Sequence, residues 1–469
     1  MSSRRCCALS EYPSPEPTPL RLTSRGVAAA IVVALFAAAA AVARIGVLPA
    51  AFAAGLGVLA LLLYWRVYGA ARAGAVSRLR VERRVVGEPV EGRRLRVEVV
   101  VENPTPIPIE HLEVYDEPPR LWRLGGQPRA VLALPAFSRA VLVYEAVPVY
   151  GLHRFGPVRL VAYDPLGLFR AESTHPEASA EYRVAPRLLE EVRGYYLVPS
   201  SPRPGGVAPS RQKGVGTVFY DVREYVPGDD IRLVYWKGFA RTGRLTVKEY
   251  EQEVQIYTML VFDATPTMFR GVLGETKVEN IARVVHTVLR YAAERGDNYR
   301  LVLIAPDASI THTPWLRGRG GLARAVETLS SLEWVVGDAE PRLEDRLAAL
   351  RRLASLAARE KTLIFLFTDT LEDPKAASLY AGELAKLRLL RHEVEALIPL
   401  TAYYEAEELA RRDETLAKLY ALAALERLKA YREILRAFRS RGIPVVATGP
   451  VQLASTVLRT LEEYRRMMV

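Results

Sequence analysis

Two long uncharged apolar runs stand near the start of the chain, at Gly26–Ala43 and Ile45–Tyr64. Each is long enough to cross a hydrocarbon core of about 30 Å as a helix. Arginines lie before the first run and after the second, and only Arg44 lies between them. The positive-inside rule therefore predicts a cytoplasmic tail at 1–25 and two transmembrane helices within 26–65. This makes the chain a two-span protein of the cell membrane with both termini in the cytoplasm. The alternative is a helical hairpin outside the membrane, because the first run is rich in alanine.

From 76 to 198 the pattern changes to short alternating runs broken by proline and glycine, such as LRVERRVV and RRLRVEVVVENP. In the second of these runs Val97, Val99 and Val101 fall on one face of a strand. Several such strands at spacings of about 10 residues predict an antiparallel β-sandwich-like domain. Its closing phrase YDPLGLF, Tyr163–Phe169, favours a tight turn.

Residues 199–254 combine a proline- and glycine-rich linker with a segment dense in charges of both signs, set between aromatic residues. Pro-Gly-Asp-Asp within it predicts a turn, with Gly228 free to adopt a positive φ. Its paired carboxylates are candidates for acid–base chemistry, but a structural ion-pair network is the favoured interpretation. The residues of this predicted network are Arg223, Tyr225, Gly228, Asp229, Asp230, Arg232, Trp236 and Arg241.

In the last part of the chain, 255–469, strand-like apolar runs alternate with helical patterns. IYTMLVF, YRLVLIA, TLIFLFTD, HEVEALIPL and IPVVATG are the strand candidates, and amphipathic stretches lie between them. This alternation predicts an α/β domain with a Rossmann-like parallel sheet covered on both faces. Ligands of such sheets bind beyond the carboxyl ends of the strands.

Two predicted strand ends carry oxygen-rich side chains. Asp263, Thr265 and Thr267 follow the first strand, and Asp369 follows the central one. Carboxylate and hydroxyl oxygens suit a hard cation such as Mg²⁺, and neutral hydroxyl ligands would leave the ion able to bind a carboxylate of another protein. Asp and Thr at strand-to-helix junctions are also ordinary helix N-caps, so this alternative stays open.

Composition narrows the functional classes. The chain has 64 Lys and Arg against 53 Asp and Glu, a formal net charge of +11. Much of this charge flanks the apolar runs, so it favours membrane topology and lipid contact over a nucleic-acid partner. The two cysteines, Cys6 and Cys7, are adjacent, which excludes a disulfide framework. No phosphate loop, zinc signature, nucleophile elbow or His-Cys cluster occurs, so we expect no enzymatic activity.

The phrases REYVPGDDIRLVYWKGFAR, LTVKEYEQE and YGLHRFGPVRLVAYDPLGLF resemble the membrane-associated family catalogued as domain of unknown function family 58. The resemblance covers nearly everything after the apolar runs. It implies two N-terminal membrane helices, a β-sandwich-like region and a von Willebrand factor A-like domain. It also implies association with MoxR-type AAA+ ATPases in the assembly or maturation of client proteins.

The resemblance further implies a metal-ion-dependent adhesion site for Mg²⁺ or Mn²⁺. Asp263, Thr265 and Thr267 match its Asp-x-Ser-x-Ser loop, with Thr in place of Ser, and Asp369 matches its last aspartate. The separate threonine is missing, because Gly320-Gly321-Leu322 stands where a Gly-Gly-Thr is expected. Thr311 and Thr313 are the nearest substitutes, and this departure weakens the expected site.

Three functional hypotheses follow. The leading one is a membrane-anchored, non-enzymatic adaptor that presents its A-type domain to a MoxR-type ATPase and unknown client proteins. The alternative is a membrane-bound metal-dependent hydrolase, which requires Asp229, Asp230, Asp263 and Asp369 to converge around a cation. A third is binding of an anionic polymer, which depends on where Arg317, Arg319 and Arg324 lie relative to Arg211 and Lys213.

Overall fold

The computed structural model describes residues 20–42, 47–192, 207–334, 342–369, 374–399, 415, 418 and 432–468. Cys6, Cys7 and most of the predicted tail lie outside these residues. The chain forms two compact units. The first runs from the first described residue to Pro89 and includes Arg93–Pro148 and His153–Tyr182. The second comprises Val90–Gly92, Val149–Leu152 and the chain from Arg183 onwards.

The first unit begins with a short strand, β1 (Leu20–Leu22), and the helices α1 (Ser24–Val42), α2 (Val47–Tyr64) and α3 (Ala70–Val76). Among the residues that the structure describes, no helix is both long and apolar enough to span a membrane. The prediction of a two-span transmembrane hairpin, with its cell-membrane localisation, is therefore wrong. Alanine dominates α1, and α2 contains proline and glycine. Because such residues add little apolar surface, the length of an uncharged run overestimates its affinity for lipid.

Polar contacts near the ends of these helices join them to the turn predicted at Tyr163–Phe169. The hydroxyl of Thr23 donates to the carbonyl of Gly167 at 2.5 Å, and the hydroxyl of Tyr64 donates to Asp164 Oδ2 at 2.6 Å. Asp164 also accepts the backbone N–H groups of Leu166 and Phe169, and Gly167 adopts a φ of +67°. The sequence therefore predicted this turn correctly.

The strands that follow, up to Val184, form antiparallel sheets. These strands are β2 (Arg80–Val86), β3 (Leu95–Glu102), β4 (Ile109–Tyr115), β5 (Arg123–Gly125), β6 (Arg129–Leu134), β7 (Arg139–Val147), β8 (Gly151–Phe155), β9 (Val158–Tyr163), β10 (Phe169–His175) and β11 (Ala180–Val184). One sheet has the order β2-β3-β7-β5, another has the order β1-β10-β9-β4-β6, and β8 pairs with β11. Val97, Val99 and Val101 on β3 are fully buried, as the alternation along this strand predicted.

In the second unit, β12 (Val207–Glu224) pairs antiparallel with β13 (Thr246–Gln255), and the helix α4 (Trp236–Thr242) lies between them in sequence. The main sheet consists of β14 (Tyr257–Asp263), β15 (Asn298–Ile304), β16 (Ile310–His312), β17 (Leu316–Arg317), β18 (Thr362–Phe367), β19 (Glu393–Pro399) and β20 (Val445–Thr448). Its order is β16-β15-β14-β18-β19-β20, with β17 also paired to β15. The strands β15-β14-β18-β19-β20 are parallel, and β16 and β17 run antiparallel to β15.

The helices of this unit are α5 (Lys277–Arg295), α6 (Leu322–Leu329), α7 (Leu343–Leu356), α8 (Pro374–Leu389) and α9 (Pro450–Met468), with a further helix over 432–440. Successive strand residues point to opposite faces, so the sheet has two cores. Leu260 and Phe262 pack with residues of α5 and α9, whereas Met259 and Val261 pack with residues of α7 and α8. The continuous apolar strands are therefore buried on both sides, as a parallel sheet requires.

Helix α5 follows β14 and begins with a capping box. The hydroxyl of the N-cap Thr276 accepts the backbone N–H of Glu279, and the Glu279 carboxylate accepts the backbone N–H of Thr276 at 3.0 Å. The same carboxylate accepts the N–H of Gly274 at 2.9 Å. Glu279 is fully buried. Burial, and then the nearby negative charge of Glu91, raise its pKa from the usual 4.5 to about 7.

This raised pKa predicts a loss of stability as pH increases. Between about pH 4.5 and 7 the unfolded chain releases the Glu279 proton while the folded chain retains it, which lowers the free energy of unfolding by up to roughly 3 kcal/mol. Glu279→Gln should flatten the pH profile of stability by that amount in urea denaturation from pH 4.5 to 7.5. The exposed Glu294→Gln on the same helix is the control. An unchanged profile in Glu279→Gln would contradict the pKa assignment.

Candidate functional site

The candidate site lies at the carboxyl ends of two neighbouring strands. β14 and β18 are adjacent and parallel, with Phe262 opposite Phe367. The chain continues from β14 to β15 on one side and from β18 to β19 on the other. This is the point where the strand order reverses, and ligands of doubly wound sheets bind at such switch points. Asp263 ends β14, and Asp369 stands two residues beyond β18.

Asp263 is completely buried and is neutralised by a residue of α7. The Arg346 guanidinium forms an ion pair with Asp263 Oδ1, and the Thr368 hydroxyl donates to Oδ2 at 2.8 Å. Arg346 also donates to the backbone carbonyls of Ala264 and Pro306, each at 3.1 Å. An arginine fork that binds a carboxylate and two carbonyls is well satisfied in a buried setting. Asp263 is therefore held in a closed network.

Tyr380 of α8 lies beside this ion pair. Burial, and then the negative charge of Asp263, raise the pKa of the Tyr380 phenol above its usual value. Its hydroxyl therefore stays protonated across the physiological pH range. A neutral phenol at this position adds no further charge to the buried pair.

Asp369 is paired with a lysine of α5. The Lys277 ammonium donates to Asp369 Oδ2 at 2.7 Å, and the side chain of Asp369 is fully buried. The Thr267 hydroxyl donates to the same oxygen at 3.2 Å, and the hydroxyl oxygens of Thr265 and Thr267 are 2.9 Å apart. The sequence thus identified Thr265, Thr267 and Asp369, whose side chains do come together. The tertiary structure adds Lys277 beside Asp369 and Arg346 beside Asp263.

The residues present do not fit a divalent cation. Mg²⁺ requires near-octahedral oxygen ligation at about 2.1 Å, with several positions kept for water. Both oxygens of Asp263 already accept hydrogen bonds from Arg346 and Thr368, and Asp369 Oδ2 is shared by Lys277 and Thr267. The carboxylates are thus engaged by donors of the chain itself. Within the described residues, no three His, Cys, Asp or Glu side chains form a group that could hold a metal ion.

The threonines considered as the separate ligand lie on or beside β16. The hydroxyl of Thr313 accepts the backbone N–H of Leu301 at 3.1 Å, and Thr313 is buried. Thr311 is an exposed residue of β16 and pairs with Leu303. Neither hydroxyl contributes to the cluster of Asp263 and Asp369 in any described contact. The described contacts therefore provide no threonine in place of the one that is missing at Gly320-Gly321-Leu322.

In the charged segment before the sheet, one predicted ion pair forms with good geometry. Arg223 donates to both oxygens of Asp229 at 2.5 and 2.7 Å. These bonds, and a further one from the Val226 N–H, lower the pKa of Asp229 to about 2. The Asp229 N–H donates to the Val226 carbonyl, and Gly228 adopts a φ of +110°, so the Pro-Gly turn forms as predicted.

The other members of the predicted network have local roles. The side chain of Asp230 accepts the N–H of Arg232 and caps the short 3₁₀ turn Ile231–Leu233. Tyr225 donates its backbone N–H to Leu245. Arg232 and Arg241 are exposed, and Trp236 is 56% exposed. The ion pairs of this segment include Arg223–Asp229 and a longer contact of Arg244 with Glu224 at 3.9 Å, and the broader network stays a prediction.

This segment instead presents an exposed surface around α4, which we name the signature surface. It comprises the apolar residues Val226, Ile231, Trp236, Phe239 and Leu245 and the basic residues Arg232, Lys237, Arg241 and Arg244. None of the seven described residues of α4 is buried. Trp236 and Phe239 contact each other edge to face, with ring centroids 6.4 Å apart. Exposed large apolar side chains on a folded domain make this segment a candidate for binding another molecule.

Sequence reasoning missed Lys277, Arg346 and Thr368. Lys277 is the first residue of α5, directly after the cap Thr276, and no local pattern pairs it with a residue 92 positions away. For Arg346 the sequence contains one signal of a buried ion pair. It stands on the apolar face of α7 beside Leu347, Leu350 and Leu353, where a charged residue requires a buried partner. Thr368 directly precedes Asp369, and nothing in the sequence indicates that its hydroxyl binds Asp263.

The hydrolase hypothesis requires four carboxylates around one cation. Asp229 and Asp230 bind groups of their own segment, and Asp263 and Asp369 have separate cationic partners. The described residues therefore do not form the expected cluster.

The anionic-polymer hypothesis depends on basic side chains. Arg317, Arg319 and Arg324 are exposed, but the side chains of Arg211 and Lys213 are not among those that the structure describes. That hypothesis stays a prediction.

Comparison with known proteins finds similarity to one family over part of the second unit. Residues 221–407 match the family described as "Protein of unknown function DUF58". The chain is also similar to "Uncharacterized protein YeaD" of Bacillus subtilis (strain 168), with 29% identity over 216 residues. This match covers 44% of the chain and 51% of the relative, so the chain spans about half the length of that protein. The resemblance to domain of unknown function family 58 is thereby confirmed over residues 221–407.

Solved structures with some likeness to part of the chain include the following two. The conserved hypothetical protein BatB from Bacteroides thetaiotaomicron is 12% identical, over 44% of this chain and 98% of its own, with a TM-score of 0.28. The VWA domain of SpRpn10 is 18% identical, over 44% of this chain and 95% of its own, with a TM-score of 0.27. The α/β unit itself has the doubly wound, mostly parallel sheet that the sequence predicted.

The closed network around Asp263 predicts a large effect of removing its partner. Arg346→Met leaves Asp263 buried and uncompensated, so the free energy of unfolding should fall by about 3–5 kcal/mol. Urea denaturation measures this change. Combining Arg346→Met with Asp263→Asn should recover part of the loss, because no buried charge remains. Arg352→Met, an exposed change on the same helix, should stay within about 0.5 kcal/mol of the wild type. Equal effects of the two arginine variants would contradict this role of Arg346.

Proposed function

We propose, from the match of residues 221–407 to family DUF58, that the chain is a non-enzymatic adaptor that binds a partner protein through the signature surface. The partner we propose is a MoxR-type AAA+ ATPase that acts in the assembly or maturation of client proteins. The observation that carries this proposal is the exposure of aromatic and aliphatic side chains around α4, within the matched residues.

The composition of the signature surface supports protein binding. Trp236 and Phe239 are large side chains left exposed on a helix that buries none of its own described residues. Tryptophan and arginine are the residue types most often found at the energetic centres of protein interfaces. Ile231 and Val226, more than half exposed, extend the apolar area. Covering these side chains on association would remove apolar surface from water, which favours complex formation.

The surface is also held in shape before a partner arrives. The N–H of Tyr235 donates to the Thr246 carbonyl, and Val234 forms a bridge with Val247 of β13. The Lys248 ammonium lies 5.1 Å from the centre of the Tyr235 ring. A Cβ atom on residue 238 would overlap that ring, which explains the glycine there. A preformed surface loses little conformational entropy on binding, so more of the contact energy appears as affinity.

The charges of the surface indicate the character of the partner segment. Arg232, Lys237, Arg241 and Arg244 are exposed, whereas Asp229 is already paired with Arg223 and Asp230 caps a turn. The surface is therefore basic as well as apolar. An acidic partner segment with apolar side chains would complement it, and the charges would accelerate association at low ionic strength.

The test is a binding measurement with full-length protein and the MoxR-type ATPase of the same organism, with and without nucleotide. The double variant Trp236→Ala, Phe239→Ala should weaken binding by about 10-fold or more, because it removes the aromatic centre of the surface. Arg241→Glu should mainly slow association, and more so at low salt. Surface plasmon resonance reports both effects.

Leu389→Ala provides the matched control, since Leu389 is an exposed apolar residue outside the signature surface. Its binding should equal that of the wild type. Thermal unfolding of each variant checks that α4 and its neighbours stay folded. Binding that survives the double aromatic change would contradict the role of the signature surface. Failure of the wild type to retain the ATPase in any nucleotide state would contradict the choice of partner.

A further inference from the structure

The carboxylate cluster at the carboxyl end of the sheet carries its own cations. Asp263 pairs with Arg346, and Asp369 pairs with Lys277. The side chains of the two aspartates are at most 1% exposed, and those of Arg346 and Lys277 are 6% and 13% exposed. Two negative and two positive charges leave the cluster with no net formal charge. It therefore has no excess negative charge to attract a further cation.

Lys277 contacts the Asp369 oxygen that a divalent ion would need as a ligand. Its ammonium lies 2.7 Å from Asp369 Oδ2, the oxygen that also accepts the Thr267 hydroxyl. A divalent ion bound to that oxygen at about 2.1 Å would lie within about 5 Å of the ammonium, because both contact one atom. Like charges so close together in a poorly solvated site repel strongly. The ion and the ammonium are therefore alternatives for one position.

The ammonium also makes the connections that a metal ion would make. Through Asp369 it joins the start of α5 to the chain after β18, and through Thr267 and Thr265 to the loop after β14. A lysine ammonium has three donors and no preferred octahedral geometry, so it can serve such a cluster without bound water. Asp263, the remaining expected ligand, is closed off by Arg346 and Thr368.

We propose that the Lys277 ammonium is the built-in cation of this site, and that Asp263, Thr265, Thr267 and Asp369 work without a divalent metal ion. The site is then a fixed internal cross-link between β14, β18 and α5. This inference is independent of the signature surface and of the proposed partner. It also differs from what the family resemblance implied for these four residues.

The experiment uses the full chain after treatment with EDTA. Isothermal titration calorimetry and thermal unfolding are recorded with Mg²⁺ and with Mn²⁺ for the wild type and for Asp369→Asn. We expect no binding heat and no change in Tm for the wild type with either ion. Metal binding by the wild type that Asp369→Asn abolishes would overturn the proposal, and this result does not depend on the folding of any lysine variant.

Lysine variants then test the role of the ammonium. Lys277→Ala should lower Tm by about 5 °C or more, because it leaves Asp369 buried without its cation. Lys386→Ala is the matched control, since Lys386 forms a pair with Glu383 at a similar 2.8 Å but is 65% exposed. It should change Tm little. With the position vacated, Lys277→Ala should acquire a rise in Tm on addition of Mn²⁺ that Lys277→Ala, Asp369→Asn lacks. A Lys277→Ala protein as stable as the Lys386→Ala protein would overturn the proposal.

Discussion

The α/β unit depends on one constraint, which is the burial of the Asp263 carboxylate at the end of β14. Asp263 ends β14 in the middle of a sheet covered on both faces, and its side chain is almost fully enclosed. A buried charge is tolerated only with a partner and a full set of hydrogen bonds. Arg346 provides the partner and, through the carbonyls of Ala264 and Pro306, fixes the start of the loops that follow β14 and β15. Packing of α7 on the sheet is thereby coupled to the geometry of the candidate site.

The two candidate regions of this unit differ in burial and in charge. Asp263 and Asp369 are buried and form ion pairs with Arg346 and Lys277, so their charges are neutralised within the chain. The signature surface around α4 leaves Trp236 and Phe239 exposed among basic residues. A closed cluster stabilises the arrangement of strands and helices, whereas an open amphipathic surface can bind another protein. This contrast is why the proposed adaptor role rests on α4 and not on the end of the sheet.

Local sequence patterns predicted those parts of the fold in which the conformation of a residue depends on its neighbours along the chain. The alternation of Val97, Val99 and Val101 and the positive φ of Gly228 depend on strand periodicity and turn geometry, which act over a few residues. The same reasoning failed for the apolar runs of α1 and α2. Their lack of charge suggested membrane spans, but no described helix is both long and apolar enough to cross a membrane. Polar bonds from Thr23 and Tyr64 to the turn at Gly167 and Asp164 were invisible in the sequence.

The sequence by itself determined the strand and helix order of the α/β unit, the resemblance to family DUF58 and the oxygen-rich residues at two strand ends. It could do so because apolar periodicity and short motifs are local properties. Only the tertiary structure decided what those oxygens bind. Arg346 and Lys277 lie 83 and 92 residues from their aspartates, and they meet because a parallel sheet gathers its strand ends and the following helices at one edge. The physical reason is that the partner of a buried charge is chosen by packing in three dimensions, which no spacing along the chain records.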